Sequence, residues 1–366
     1  MTAQPEETVA VPASLPALRR YPALQHAILA GAIVIAVILP FLTKSFIIFQ
    51  LTQVMIYGLA ILGLNLLTGF NGQFSLGHSA FYGFGAYTAA ILMHNYDVPY
   101  YLTLPAAGGV CFVIGFLFGL PALRLQNLYL ALATFALAIA MPQILKFHPL
   151  EAWTGGVQGL VVDQPDPPSF LPIDTDRWLY YFTLMVVLIM FAGAWSLVHS
   201  RTGRAIMAIR DHPIAASAMG INASLYKSLT FGVSALYTGV AGALGALVVA
   251  FVAPDSFSFL LSVSLLVGLV IGGVGSIPGC LFGGVFVLFG PNIAEFVATR
   301  LFGAIERFSG GLIALQVSDS RAIGLAGAVY GVILLLVIFV MPAGAAGFVR
   351  LVVGRLSRSR QARTNG

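Results

Sequence analysis

The sequence predicts an all-α, polytopic integral membrane helix bundle, and three observations carry that prediction. Hydrophobic residues fill 59% of the 366 positions and charged residues 8%, against roughly a quarter charged in a soluble domain. The apolar residues come in long runs, each close to the roughly 20 residues a helix needs to cross a hydrocarbon core about 30 Å thick. Within the runs polar and apolar residues do not alternate, which argues against the strands of an outer-membrane barrel and leaves helices to satisfy the backbone.

The elements follow in order. Residues 1–26, "MTAQPEETVAVPASLPALRRYPALQH", are polar and Pro-rich and read as a disordered cytoplasmic tail. The run after them lacks a small-x-small cleavage site and reads as a retained span. A transmembrane domain, 27–345, then holds about ten spans: 27–43, 47–68, 79–95, 100–120, 126–145, 178–198, 229–252, 259–276, 279–298 and 322–342. The connection 299–321 mixes charge with amphipathic stretches and could form an interfacial helix. Residues 346–366 form a basic cytoplasmic tail whose "RLSRSRQAR" suits anionic lipid.

Orientation follows from Lys and Arg, which are retained on the cytoplasmic side. With the N-terminus inside, twelve lie inside: Arg19, Arg20, Arg124, Arg201, Arg204, Arg210, Lys227, Arg350, Arg355, Arg358, Arg360 and Arg363. Six lie outside: Lys44, Lys146, Arg177, Arg300, Arg307 and Arg321. Both termini are therefore expected in the cytoplasm. The loop 146–177, with five acidic residues and five prolines, is expected to form an extracytoplasmic cap. The net charge of +5 then reflects lipid and not nucleic acid. Cys111 and Cys280 both fall in apolar runs and argue against a metal cluster.

No Asp, Glu, Lys or Arg occupies the middle third of any predicted span. Intramembrane charges mark proton relays and ion-coupling sites, so a proton-coupled carrier is disfavoured, while sodium coupling through backbone carbonyls stays open. An intramembrane enzyme is disfavoured too, because acid–base chemistry needs positioned titratable groups. Span two nevertheless carries Gln50, Gln53, Tyr57, Asn65 and Thr68 within an arc of roughly 120° at helical spacing. They read either as packing glue or as the lining of a neutral hydrophilic path.

"LTGFNGQFSLGHSAFYGFGAY", 67–87, follows with five glycines. The topology puts Gly69 to His78 at the cytoplasmic junction of spans two and three, with Ser75 expected as N-cap and His78 in the first turn. Two readings stand: a capped hairpin, or an inner mouth in which Asn71, Ser75 and His78 join the path.

The inside segment 199–228, "HSRTGRAIMAIRDHPIAASAMGINASLYKS", has helical grammar. Thr202 can cap one short helix and Asp211 a second, with Pro213 in its first turn and Gly220 as a left-handed stop. Ile206, Ile209, Ile214, Ala215, Ala218 and Met219 offer apolar contact while Arg201, Arg204 and Arg210 stay solvated. Such a segment either lies in lipid headgroups or forms a knob for a cytoplasmic partner.

"RTGRAIMAIRDHPIAASAMGIN" followed by "LTFGVSALYTGVAGALGALVVAF" resembles the coupling region of permease subunits in ABC importers of the hydrophobic amino acid group. "GFNGQFSLGHSAFYGFGAYTAAIL", "TGGVQGL" and "GGVGSIPGCLFGG" are similar to their other signatures, so the resemblance runs from about residue 50 to 350. The size and extra leading span look like the LivM-type subunit. The resemblance implies a permease for branched-chain or related amino acids in the bacterial inner membrane. It would work with a LivH-type permease, two ATP-binding subunits and a periplasmic binding protein. It also implies that Arg201, Gly203, Arg204, Arg210, Asp211, Ala215, Ala216 and Gly220 form the ATPase-coupling surface.

The chain lacks G-x-x-x-x-G-K-[ST], so ATP and Mg would be used by the partner subunits, with no cofactor in this chain and no catalysis by it. The loop "VVDQPDPPSFLPIDTD" and the 299–321 segment depart from the family pattern. Urea, short amides or aromatic compounds are therefore alternative cargoes. A stand-alone secondary carrier of small polar solutes is a second class of reading, and a membrane scaffold or enzyme subunit a third.

Overall fold

The structure, a computed structural model, describes residues 22–122, 127–168, 173–308, 330–332, 335, 336, 339, 344 and 347. The expected tail up to residue 21, Arg124, most of the tenth span and nearly all of the basic tail lie outside the described residues. Two units are present, one comprising Met1–Thr43 with Gly347–Gly366 and the other Lys44–Ala346. In the first, α1 runs Pro22–Leu42, so helix begins inside the stretch expected to be a tail.

The second unit holds the candidate site. Its helices are α2 (Ser45–Asn65), extended by a π-helical turn Leu66–Phe70, α3 (His78–Tyr96), α4 (Tyr100–Ala122) and α5 (Asn127–Leu145). A one-turn helix α6 (Glu151–Thr154), then α7 (Thr175–His199), α8 (Arg201–Asp211) and α9 (Pro213–Ala218) follow. Next come α10 (Ala223–Val249), α11 (Phe259–Gly272) and α12 (Gly279–Phe308). Among the described residues, five helical stretches are long and apolar enough to cross a membrane, and a sixth if the pair Tyr129–Leu145 and His148–Thr154, bent by 63°, is one span. Each of the first nine predicted spans falls on a helix of the two units. α10 begins six residues before its predicted span, and α12 continues into the segment 299–321 as far as Phe308.

α2 and α10 form the centre. From Thr52 onward α2 is buried on every face except at Tyr57, so its polar Gln53 and Asn65 are buried with its apolar residues. α10 is Gly/Ala-rich and packs on α4, α3 and α2. Small residues permit that approach: a Cβ on Gly85 of α3 would overlap the Gly239 carbonyl of α10. Leu67, Phe81, Cys111, Leu130, Phe231 and Ala235 fill the space between these helices.

The 146–177 loop is pinned to the bundle. "TGGVQGL" turns the chain into a two-residue strand β1 (Leu160–Val161), antiparallel to β2 (Phe251–Val252) with Leu160 opposite Val252. Lys146 pairs with Asp255 at 2.5 Å.

α11, at 14 residues, spans only about 21 Å, too short for a hydrocarbon core of about 30 Å. Apolar composition continues through residue 276 and predicts a longer span. The helix instead ends at Gly272 and the chain turns before α12, partly buried against the bundle, with Gly273 at φ 108° and Gly275 at φ 76°.

Candidate functional site

A turn packed between helices needs partners for its buried backbone polar groups. Asn65, fully buried at the end of α2, supplies them for the α11–α12 turn. Its Oδ1 accepts from Gly275 N–H at 2.8 Å, and its Nδ2 donates to the Ser276 carbonyl at 3.0 Å and toward Cys280 Sγ at 3.3 Å. The π-helical turn begins immediately after Asn65. Within it Gly69 lies so near Asn65 that a Cβ would overlap Oδ1.

The chain from this turn to α3 is a second polar knot. Thr68 donates to the Gln73 carbonyl at 3.0 Å, and Asn71 Nδ2 to Gln73 Oε1 at 2.6 Å. Asn71 Oδ1, buried, has no partner among the described residues. Leu76 N–H donates to Thr134 Oγ1 of α5 at 2.9 Å, and Ser79 N–H to Ser262 Oγ of α11 at 2.8 Å.

His78 is 1% exposed, with 2.8 Å contacts to Ser75 Oγ at Nδ1 and to Ser234 Oγ of α10 at Nε2. Ser234 gives its one hydroxyl proton to the Gly63 carbonyl at 2.6 Å, so it accepts from His78 Nε2–H. Nδ1 then accepts from Ser75. The ring is a neutral cross-brace among α2, α3 and α10. Ser75 is therefore not the N-cap expected from sequence. Gly77 holds that position, and the Ser75 hydroxyl is engaged by the histidine.

α8 and α9 lie at the same end of the bundle as this knot. α8 leaves α7 through a tight corner, capped by Ser200, whose Oγ accepts from Gly203 N–H at 3.2 Å. Thr202, the expected cap, sits inside the first turn. A Cβ at Gly203 would overlap the Val198 carbonyl, so the corner itself selects the cap. His212, not Asp211, precedes α9, with Pro213 at its first position. Gly220 has φ 82° and ends α9 with Ile221 N–H bonded to the Ala216 carbonyl, the left-handed stop expected.

The apolar residues of this segment divide. Gly203, Ile206, Ile209 and Ala216 are buried in the fold, whereas Ile214 is 86% and Met219 84% exposed. Ala215, Ala218, Arg201, Arg204 and Asp211 are exposed as well. Arg210 departs from the expectation of a solvated charge. Its side chain is 21% exposed, its Nε donates to Asp211 Oδ1 at 2.8 Å, and Nη1 donates to the Gly69 carbonyl at 2.9 Å.

The residues expected to line a path do not form one site. Asn65, Thr68, Asn71, Ser75 and His78 cluster at the junction and, apart from Asn71 Oδ1, are engaged with protein. Gln50, Gln53 and Tyr57 sit up α2, Gln50 about 22 Å from Asn65 by helical rise. Gln53 is buried, Gln50 and Tyr57 are half-buried, and the Tyr57 ring stacks on Tyr82 at 6.5 Å. Sequence reasoning missed Ser234, Ser262, Gly275 and Ser276. Only the Gly-rich "GGVGSIPGC" signalled any of them, since their partners lie far away in the chain.

The family described as "Branched-chain amino acid transport system / permease component" matches residues 46–338. Over 287 residues the chain is 33% identical to the high-affinity branched-chain amino acid transport system permease protein LivM of Salmonella typhimurium and 32% to that of Escherichia coli. These matches cover 72% of this chain and 67% of each relative. The LivH permease protein of Salmonella typhimurium is 25% identical over 321 residues, covering 80% of this chain and 91% of the relative. No solved structure matches.

Proposed function

Because this chain belongs to the branched-chain amino acid transport permease family, we propose that it is a LivM-type translocating subunit of an ATP-driven importer of branched-chain amino acids. It spans the bacterial inner membrane beside a LivH-type permease, takes solute from a periplasmic binding protein, and leaves ATP and Mg to two ATP-binding subunits. It performs no catalysis itself.

The exposed pair Ile214 and Met219 on the Gly220-terminated α9 carries the docking part of this reading. α8 is anchored into the bundle, so its exposed neighbour can push on the helices when a partner moves. A helix resting in lipid headgroups would need no such anchorage.

The junction has little hydrogen-bonding capacity left for a solute, which favours the stretch of α2 bearing Gln50, Gln53 and Tyr57 as path lining. The missing intramembrane charges fit a cycle driven from outside the chain, since the permease needs only to switch between two packings.

Reconstitution tests the proposal. With both permeases, the ATP-binding subunits and the loaded binding protein in proteoliposomes, uptake of leucine, isoleucine or valine should require ATP. Ile214→Asp with Met219→Asp should strip the ATP-binding subunits from the purified complex. Full uptake by this chain alone in ATP-free vesicles would overturn it.

A further inference from the structure

A charged side chain turned inward from a docking segment needs a reason, and Arg210 has a specific one. The last carbonyls of a helix have no partner within it, and Gly69 lies in the π-helical turn that ends α2. Arg210 donates to such a carbonyl, that of Gly69, at 2.9 Å. Its aliphatic stem lies across Gly72, where a Cβ would stand 2.8 Å from Arg210 Cγ and where φ is 73°. Asp211 holds the guanidinium from the other side through Nε, at 2.8 Å. Gly69 in turn lies against the Asn65 amide, which closes the α11–α12 turn. One residue thus joins the end of α8 to the place where α2, α11 and α12 meet.

We infer that Arg210 is a positioning residue that transmits movement of α8 and α9 to the π-helical turn of α2, and that it is not part of the docking surface. The inference rests on the reading that α9 docks on an ATP-binding subunit. Arg suits the role because its planar guanidinium can hold Asp211 and the carbonyl at once, which a lysine ammonium cannot do in the same geometry.

The test measures two quantities on the complete complex: ATP-binding subunits retained through purification, and amino acid imported per ATP hydrolysed in proteoliposomes. Arg210→Ala should retain the subunits while import per ATP falls at least fivefold. Arg210→Lys should fall by less, and Gly72→Ala, which drives a methyl into the Arg210 stem, should fall with it. If Arg210→Ala gives no folded complex, Arg210→Lys decides, a reduced ratio supporting the inference. A wild-type ratio in Arg210→Lys and Gly72→Ala would overturn it, as would loss of the subunits from Arg210→Ala. Retention of the subunits by the Ile214→Asp, Met219→Asp protein sinks the docking reading instead, so the two failures are distinguishable.

Discussion

Replacing Asn65 by leucine removes the support of the α11–α12 turn while keeping side-chain bulk. The part-buried Gly275 N–H loses its partner at 2.8 Å, and the buried Ser276 carbonyl loses its amide donor at 3.0 Å and keeps only the Cys280 thiol at 3.4 Å. An orphaned buried polar group costs about 1–3 kcal/mol in a water-soluble protein. Side-chain bonds between membrane helices average about 0.6 kcal/mol and reach about 1.7, because the separated helices find other partners. The Gly275–Ser276 backbone has fewer such alternatives, since the turn remains irregular, but one group is part-buried and the other keeps a thiol donor, so about 0.5–1 kcal/mol applies to each. The sum is about 1–2 kcal/mol, or roughly a 5- to 30-fold shift in the unfolding equilibrium. Equilibrium unfolding in mixed detergent micelles would measure it. Thr52→Val is the control: Thr52 is equally buried but donates only to the Ile48 carbonyl of its own helix at 2.8 Å, so its loss should cost less than about 0.5 kcal/mol. If Asn65→Leu falls within about 0.5 kcal/mol of the wild type, or Thr52→Val costs as much, the argument from unsatisfied backbone is wrong.

Three further outcomes follow from the same geometry. Gly220→Val forces a β-branched residue to φ 82° with no atom within 4 Å of the new Cβ, so the strain of at least about 1–2 kcal/mol is purely conformational. Binding-protein-stimulated ATPase of the complex should fall while expression stays near wild type, and unchanged transport would count against a coupling role. Gly85→Ala should abolish most folded protein in a detergent-stability screen, because the methyl meets the Gly239 carbonyl; Gly109→Ala, in open space on α4, should be neutral or stabilise by up to about 1 kcal/mol. His78→Ala should destabilise by about 1–3 kcal/mol while uptake per folded complex is kept, and a fall in that uptake would move His78 from brace to pathway.

What was legible in the sequence was whatever depends on neighbours in the chain. Runs of apolar residues locate α2, α4 and α7 within about three residues and α10 within six, and Gly220 announces its turn because the helix pattern stops there. The helix caps were less legible. Ser200, Thr202, Asp211 and Ser75 are all competent caps by residue type, and the choice among them is made by contacts with Val198, Gly203 and His78 that no local pattern encodes. The end of α11 was hidden for a similar reason. Composition stays apolar across "GGVG", and the amide that makes a break affordable there is Asn65, 211 positions away from Ser276.

Arg210 shows why a charged residue is the hardest to place from sequence. Alone, a guanidinium between two short amphipathic helices belongs in water, and Arg201 and Arg204 do lie exposed. Arg210 is drawn inward because three separate features converge on it: a free carbonyl at a π-helical turn, a glycine at 72 that leaves room for its stem, and an adjacent carboxylate. Each is ordinary by itself, and none identifies the contact without the others. The junction glycines therefore have a mechanical reading distinct from the solute-binding one. Gly69 admits the Asn65 amide and Gly72 admits Arg210, so a larger residue at either position would disturb the link between α8 and the α11–α12 turn, and at Gly72 it would do so without touching any of the candidate path residues.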